Sequence, residues 1–196
     1  KKFTGIIIAG LLISFGPAFL FTPVIDAGDS SVYLNYALKL SGDGNYQSFI
    51  TKAPLYPFFL AGLIKTTGLA AIPRIVIYIQ FFMNFLSSVL LLKIFKNIIS
   101  FRAAFITAII FYFSLSAIFY GYMILTETLT VFLFLSAVYI LFEWIRTGSC
   151  QQLVMLGVMI SLLSLTRFNT IPLLFTFVIL IIIIPISKRE KYDLLK

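Results

Sequence analysis

The sequence predicts an all-α fold: a polytopic bundle of membrane helices, with two interfacial helices in its first outer loop. Two features of composition support this prediction. Of the 196 residues, 61% are hydrophobic and 11% are charged, whereas a soluble domain carries about 25% charged residues. The mean hydropathy is +1.07, and apolar runs approaching the roughly 20 residues that cross a bilayer recur along the chain. The chain therefore lacks the polar groups that a water-facing surface needs.

Six apolar runs are the candidate membrane spans. They cover residues 5–25, 75–95, 103–122, 125–145, 153–167 and 171–186, and residues 26–73 form a long outer loop. The first run is too long for the core of a signal peptide, so we interpret it as a retained helix. Because the chain starts with Lys1 and not with Met, we expect its true start to be missing. We also expect residues 1–196 to be the N-terminal transmembrane part of a larger protein, which is what the family resemblance given below implies.

The basic residues indicate the orientation of these spans. With the N-terminus inside, ten Lys and Arg residues lie on the inner side and five on the outer side. An excess of basic residues marks the cytoplasmic side. We therefore expect a multi-pass protein of a bacterial cytoplasmic membrane with both ends inside. The net charge of +8 is a topology signal on this interpretation, and no nucleic-acid partner is predicted.

The outer loop carries two predicted helices. Residues 30–40 place Tyr33, Tyr36 and Ala37 on one helix face, with Asp29 as the N-cap. A second helix begins at Pro54 and covers residues 54–65, which is too short to cross a bilayer. Tyrosines on the apolar face suit the membrane interface, so we expect both helices to lie along the outer surface.

Five charged residues on the predicted outer side are candidates for chemistry: Asp29, Lys52, Arg74, Glu127 and Arg167. They come from different segments but lie at similar membrane depth, so a packed bundle can gather them around one cavity. Lys and Arg hold phosphate through charge-assisted hydrogen bonds. A carboxylate acts as a general base or holds a divalent cation. This combination suits a phosphorylated lipid substrate.

Each of these residues also has a simpler explanation. Asp29 is explained as a helix cap, and Glu127 as an acid that the dipole of the fourth span favours. Arg167 suits the C-terminal end of the fifth span, while Lys52 and Arg74 are explained as interfacial anchors. The chain has no His and one Cys, which excludes a His-ligated metal and an intrachain disulfide. A carboxylate-bound divalent cation stays open.

The order of several short motifs resembles a known family. The series comprises Asp29-Ser30-Ser31-Val32-Tyr33, then Lys52-Ala53-Pro54-Leu55-Tyr56-Pro57, Arg74 and Gln80, Thr126-Glu127-Thr128, and Leu165-Thr166-Arg167. From about residue 5 to 187, the chain resembles the N-terminal half of the GT-C glycosyltransferases that use lipid-linked sugars, in particular the protein mannosyltransferase and aminoarabinose transferase families.

The resemblance implies a function and a set of site residues. It implies a polyprenyl-phosphate-linked sugar as donor, and a lipid, glycan or protein acceptor at the outer face of the membrane. Asp29 matches the catalytic or acceptor-binding carboxylate, and Lys52 matches the lysine at the donor phosphate, although Ala53 replaces a proline of that motif. Arg167 matches a recurrent outer arginine that we assign to the phosphate. Glu127 matches a second acid that binds substrate or a metal.

Two other functions agree with part of the sequence. A transporter or lipid flippase segment is the alternative, but transporters place ionisable residues near the middle of the bilayer. Here the charges gather at one interface and the middle of each span has none. A small structural subunit would not need the long outer loop. The sequence therefore favours a membrane glycosyltransferase.

Overall fold

The structure is a computed structural model that describes residues 28–42 and 52–193, with side chains up to residue 184. The first predicted span, residues 5–25, lies outside the described residues. The described residues contain α-helices and short 3₁₀ turns and no strand, which confirms the all-α prediction. The α-helices are α1 (Gly28–Ser41), α2 (Leu55–Thr67), α3 (Ile72–Phe95), α4 (Phe101–Tyr112), α5 (Leu115–Gly121), α6 (Glu127–Thr147), α7 (Cys150–Thr166) and α8 (Ile171–Asp193).

The two helices predicted in the outer loop are present and pack against each other. The Tyr33 ring of α1 meets the Tyr56 ring of α2 edge to face, with ring centroids 5.3 Å apart. Ala37 is fully buried in the same cluster. The tyrosine face of α1 therefore packs on protein. The prediction that Asp29 is the N-cap is wrong, because the helix begins at Gly28 and Asp29 lies in its first turn. That both helices lie along the outer interface stays a prediction.

Helix α3 runs through the centre of the bundle. The chain reverses at Gly68, whose φ of +78° favours glycine. A 3₁₀ turn (Leu69–Ala71) then leads into α3. Pro73 suits the first helical turn, where no N–H is needed, so α3 begins three residues before the predicted position 75. Its buried face carries polar side chains, among them Gln80 and Asn84, towards α4, α5 and α6.

The third predicted run is divided into two helices. Helices α4 and α5 meet at a bend of 44°. The Ser114 hydroxyl accepts a hydrogen bond from the backbone N–H of Ala117, which caps α5. Asn84 of α3 donates its side-chain amide to the Ala117 carbonyl at 2.8 Å. A local cap and a bond from the neighbouring helix therefore hold the bend.

Helices α6 and α7 form an antiparallel hairpin, and α8 is the last helix. Helix α6 ends at Thr147, two residues later than predicted, because Gly148 follows it in the left-handed conformation with φ +68°. Among the described residues, Leu69–Phe95 and Glu127–Thr147 are long and apolar enough to cross a membrane. The bent pair of α4 and α5 makes a third if it counts as one span, while Cys150–Thr166 and Phe168–Ile184 are shorter apolar helices. The count of six spans stays a prediction.

Candidate functional site

The first ion pair of the candidate site joins α1 to the segment before α2. The Lys52 ammonium donates to the Asp29 carboxylate, with Nζ and Oδ2 2.9 Å apart. The Lys52 and Asp29 side chains are 30% and 55% exposed, so solvent can reach both. The hydrogen bond to Asp29 raises the pKa of Lys52 above its ordinary value. Lys52 is therefore a charged group at neutral pH.

The second ion pair joins the start of α6 to the end of α7. Arg167 donates through Nη1 to Oε1 of Glu127 at 2.8 Å, and the side chains are 39% and 25% exposed. The backbone of Arg167 is extended, which ends α7. The Thr170 hydroxyl donates to the Arg167 carbonyl at 2.7 Å. The turn after α7 is thus fixed where it presents the guanidinium.

The two ion pairs lie close enough to interact. Hydrogen bonding to Asp29 raises the pKa of Lys52, and the positive charge of Arg167 opposes that rise. Burial raises the pKa of Tyr56, and the Glu127 carboxylate adds to the rise. The four predicted site residues thus form two ion pairs, Asp29 with Lys52 and Glu127 with Arg167, and the charge of Arg167 acts on Lys52. Arg74, the fifth candidate, is exposed and forms no ion pair within the part of the chain that the structure describes.

A buried amide connects the elements that carry the two ion pairs. Gln80 of α3 donates its side-chain nitrogen to the Tyr56 hydroxyl at 3.0 Å and to the Leu125 carbonyl at 3.2 Å. Tyr56 lies four residues after Lys52, and Leu125 lies two residues before Glu127. Gln80 stood in the motif series, but no role was predicted for it. A glutamine inside an apolar span is a signal, yet its partners, 24 and 45 residues away, are not readable from the sequence.

A cavity of about 260 Å³ opens beside the bend between α4 and α5. Glu127 and Arg167 form part of its wall, whereas Asp29 and Lys52 do not line it. The remaining lining residues come from α3, α4, α5 and α6 and the linker at the bend: Asn84, Phe111, Ser114, Ser116, Ala117, Tyr120, Thr128, Thr130 and Val131. Sequence reasoning missed this cavity, because it depends on the bend.

The described residues contain no group of three or more His, Cys, Asp or Glu side chains that could hold a metal ion. The two carboxylates of the site, Asp29 and Glu127, are each engaged by a basic side chain. The arrangement thus combines carboxylates, a type of group that accepts protons, with two cations of the type that can hold a phosphate.

Comparison with known proteins places the chain in a family. A model of the family described as dolichyl-phosphate-mannose-protein mannosyltransferase matches residues 51–193. Neither the curated proteins nor the solved structures give a match. The matched segment includes Lys52, Glu127 and Arg167, and Asp29 precedes it. Together with the apolar helical bundle, the match shows that the chain belongs to the dolichyl-phosphate-mannose-protein mannosyltransferase family, a family of membrane glycosyltransferases of the GT-C type.

Proposed function

We propose that the protein moves a sugar from a polyprenyl-phosphate donor to a lipid, glycan or protein acceptor at the outer face of the membrane. The observation that carries the proposal is the contact between Asp29 and Lys52. It joins a candidate proton acceptor to a candidate phosphate ligand, across two segments of the outer loop. The basic residues of the chain, ten predicted inside and five outside, support the orientation.

The reaction needs the two kinds of group that this pair provides. The bond between the anomeric carbon of the sugar and the phosphate oxygen breaks, and the electron pair leaves with the phosphate. The acceptor forms the new bond to the anomeric carbon and gives up its proton. Lys52 neutralises the departing phosphate with help from Arg167, and Asp29 takes the proton. Glu127 holds the guanidinium of Arg167 in place.

Donor binding also prepares the carboxylate. Lys52 now donates to Asp29, but an ammonium group has three donors and a phosphate competes for them. As the phosphate draws Lys52 towards itself, its hold on Asp29 weakens and the carboxylate becomes available to the acceptor. Both side chains are partly exposed, so this exchange does not require the core to open.

The test is the substitution Asp29→Asn in the full-length protein. The variant keeps the size of the side chain and an oxygen that accepts a hydrogen bond, but it removes the carboxylate that takes the proton. Loss of a general base costs about 10²–10⁴ in rate, so transfer should fall by that factor. An exposed ion pair contributes about 0.2–1 kcal/mol, so the fold should persist.

Glu143→Gln is the matched control. Glu143 pairs with Arg146 at 2.6 Å near the other end of α6, so this variant also removes a carboxylate from an ion pair. We expect it to leave transfer unchanged. Wild-type transfer by a correctly folded Asp29→Asn variant would show that Asp29 serves only the structure of α1.

A further inference from the structure

We infer that Gln80 is a positioning residue that fixes the separation of the two cations Lys52 and Arg167, so that both reach one phosphate. The inference rests on the proposed function and gives a role to a side chain that takes no part in the chemistry. Gln80 is only 2% exposed, so it acts through its neighbours. Its amide nitrogen carries two N–H donors, which lets one side chain bond to both the Tyr56 hydroxyl and the Leu125 carbonyl.

One path of contacts leads from Gln80 to Lys52 through two aromatic rings. Gln80 donates to the Tyr56 hydroxyl at 3.0 Å, and the Tyr56 ring meets the Tyr33 ring edge to face. The Lys52 ammonium lies over the other side of this pair, with Nζ 5.9 Å from the centroid of the Tyr33 ring. Both rings are buried, so neither can shift without a change in packing. The position of the Lys52 ammonium therefore depends on where Gln80 holds Tyr56.

A second path leads from Gln80 to Arg167 through the start of α6. The first hydrogen bond of this helix is accepted by the Thr126 carbonyl, so the Leu125 carbonyl, one residue earlier, lies outside the helical ladder. Gln80 provides its donor at 3.2 Å. Two residues after Leu125, the Glu127 carboxylate accepts from the Arg167 guanidinium at 2.8 Å. The bond from Gln80 therefore anchors the backbone that places Glu127, and through it Arg167.

The charges themselves do not fix this separation. Lys52 and Arg167 carry the same charge and repel each other, and the charge of Arg167 acts on Lys52. Each cation is paired with a carboxylate, but both ion pairs are partly exposed, and exposed ion pairs restrain side chains only weakly. The hydrogen bonds of Gln80 are buried, where the lower dielectric strengthens them. They are therefore suited to resist the repulsion.

Loss of this link should affect kcat more than donor binding. Before the reaction, the donor phosphate carries a single negative charge, which Lys52 can hold wherever Arg167 stands. As the sugar leaves, a second negative charge develops on the phosphate, and both cations are needed to stabilise it. Interactions that strengthen only in the transition state raise kcat. A misplaced second cation should therefore lower kcat and leave the KM for the donor nearly unchanged.

Kinetics of the full-length protein test the inference. The assay follows release of polyprenyl phosphate from mannosyl polyprenyl phosphate in the protein's own membranes, which contain the acceptor. Gln80→Leu breaks both paths, and Tyr56→Phe breaks the path to Lys52. Each should lower kcat about tenfold and change the donor KM less than about threefold, since a displacement of about 1 Å can cost about 100-fold in rate.

Tyr139→Phe is the matched control. The Tyr139 ring lies beside Lys93, with Nζ 5.4 Å from the ring centroid, so this variant also removes a tyrosine hydroxyl near a lysine. It should leave both constants unchanged. Wild-type kcat in Gln80→Leu and Tyr56→Phe would overturn the inference, and the proposed function would still stand.

Combination with Lys52→Met separates positioning from folding. If Gln80 and Tyr56 act by placing Lys52, then Tyr56→Phe should lower kcat less than about twofold in the Lys52→Met variant, because residues that act as a unit are not additive. The same tenfold loss in both backgrounds would show a general loss of active protein and would also overturn the inference. If Lys52→Met keeps wild-type kcat, the inference fails together with the proposed role of Lys52. A wild-type protein that transfers no sugar would refute both the inference and the proposed function.

Discussion

Substitutions of Gln80 and Tyr56 should have coupled effects on stability, because the two side chains share a hydrogen bond. Gln80→Leu leaves two buried groups without their donor, the Tyr56 hydroxyl and the Leu125 carbonyl. Each unsatisfied group costs about 1–3 kcal/mol. The substitution also removes Oε1 of Gln80, a buried atom with no hydrogen-bond partner, which offsets one such cost. We expect a net loss of about 1–3 kcal/mol in the free energy of unfolding.

Tyr56→Phe removes only one hydrogen bond, because Gln80 keeps its bond to Leu125, and should cost about 1 kcal/mol. In the double variant no hydroxyl is left unpaired. Its loss should therefore fall short of the sum of the single losses by about 1 kcal/mol or more. Denaturant unfolding in detergent micelles measures all four proteins. Tyr139→Phe is the control for this double variant, because the Tyr139 ring contacts Lys93, which lies thirteen residues along α3 from Gln80. The stability losses of Tyr139→Phe and Gln80→Leu should be additive within about 0.5 kcal/mol. If the stability losses of Gln80→Leu and Tyr56→Phe were simply additive, the two side chains would not be coupled through the Gln80 hydrogen bonds.

Three further predictions concern other parts of the chain. Lys52→Met should weaken donor binding about tenfold or more, since a charged hydrogen bond is lost. Because Asp29 raises the pKa of Lys52 above its ordinary value of 10.5, the contribution of Lys52 is complete below that pH and is lost only above it. A fall in donor affinity between about pH 7 and 9 that is seen in the wild type and is absent in Lys52→Met would contradict this reasoning. Cys150 is exposed at the start of α7, at the end of that helix predicted to lie inside. A membrane-impermeant maleimide should therefore label it only after the membrane is opened, and labelling in intact cells would contradict the predicted topology. Gly121→Ala places a methyl group 3.1 Å from the Phe81 ring and should cost about 1 kcal/mol or more by thermal unfolding, whereas Gly157→Ala meets open space and should not destabilise.

The helices that the sequence predicts well are those with local signals at their ends. Pro54 directly precedes α2, and Gly68 ends it close to the predicted Thr66-Thr67-Gly68 stop. Glu127 begins α6 within two residues of the predicted start at 125. In each case the turn chemistry of a few neighbouring residues decides the boundary, so the sequence contains the information.

The bend and the buried network depend on contacts that hydropathy does not record. Ser114 is one polar residue in an apolar run, and its role as a cap becomes visible only once the chain turns. Gln80 and Tyr56 are 24 residues apart and meet through the packing of α2 on α3. The prediction from common membrane depth was that Asp29, Lys52, Arg74, Glu127 and Arg167 lie around one cavity. The structure has two ion pairs, Asp29 with Lys52 and Glu127 with Arg167, and of these residues Glu127 and Arg167 line the cavity beside the bend. Their roles in catalysis stay predictions.

The bend between α4 and α5 has a consequence for how the protein enters the membrane. At 1.5 Å per residue, the 12 residues of α4 and the 7 of α5 reach only about 18 Å and 10 Å, so neither half crosses a bilayer alone. The insertion machinery responds to the summed hydrophobicity of the whole segment, and together the two halves pass as one span. The bend should therefore add little cost at insertion. Asn84, which holds the bend from α3, precedes Ala117 in the chain and is therefore synthesised before it. A cavity beside the bend can form in this way without weakening the hydrophobic signal that directs the segment into the membrane.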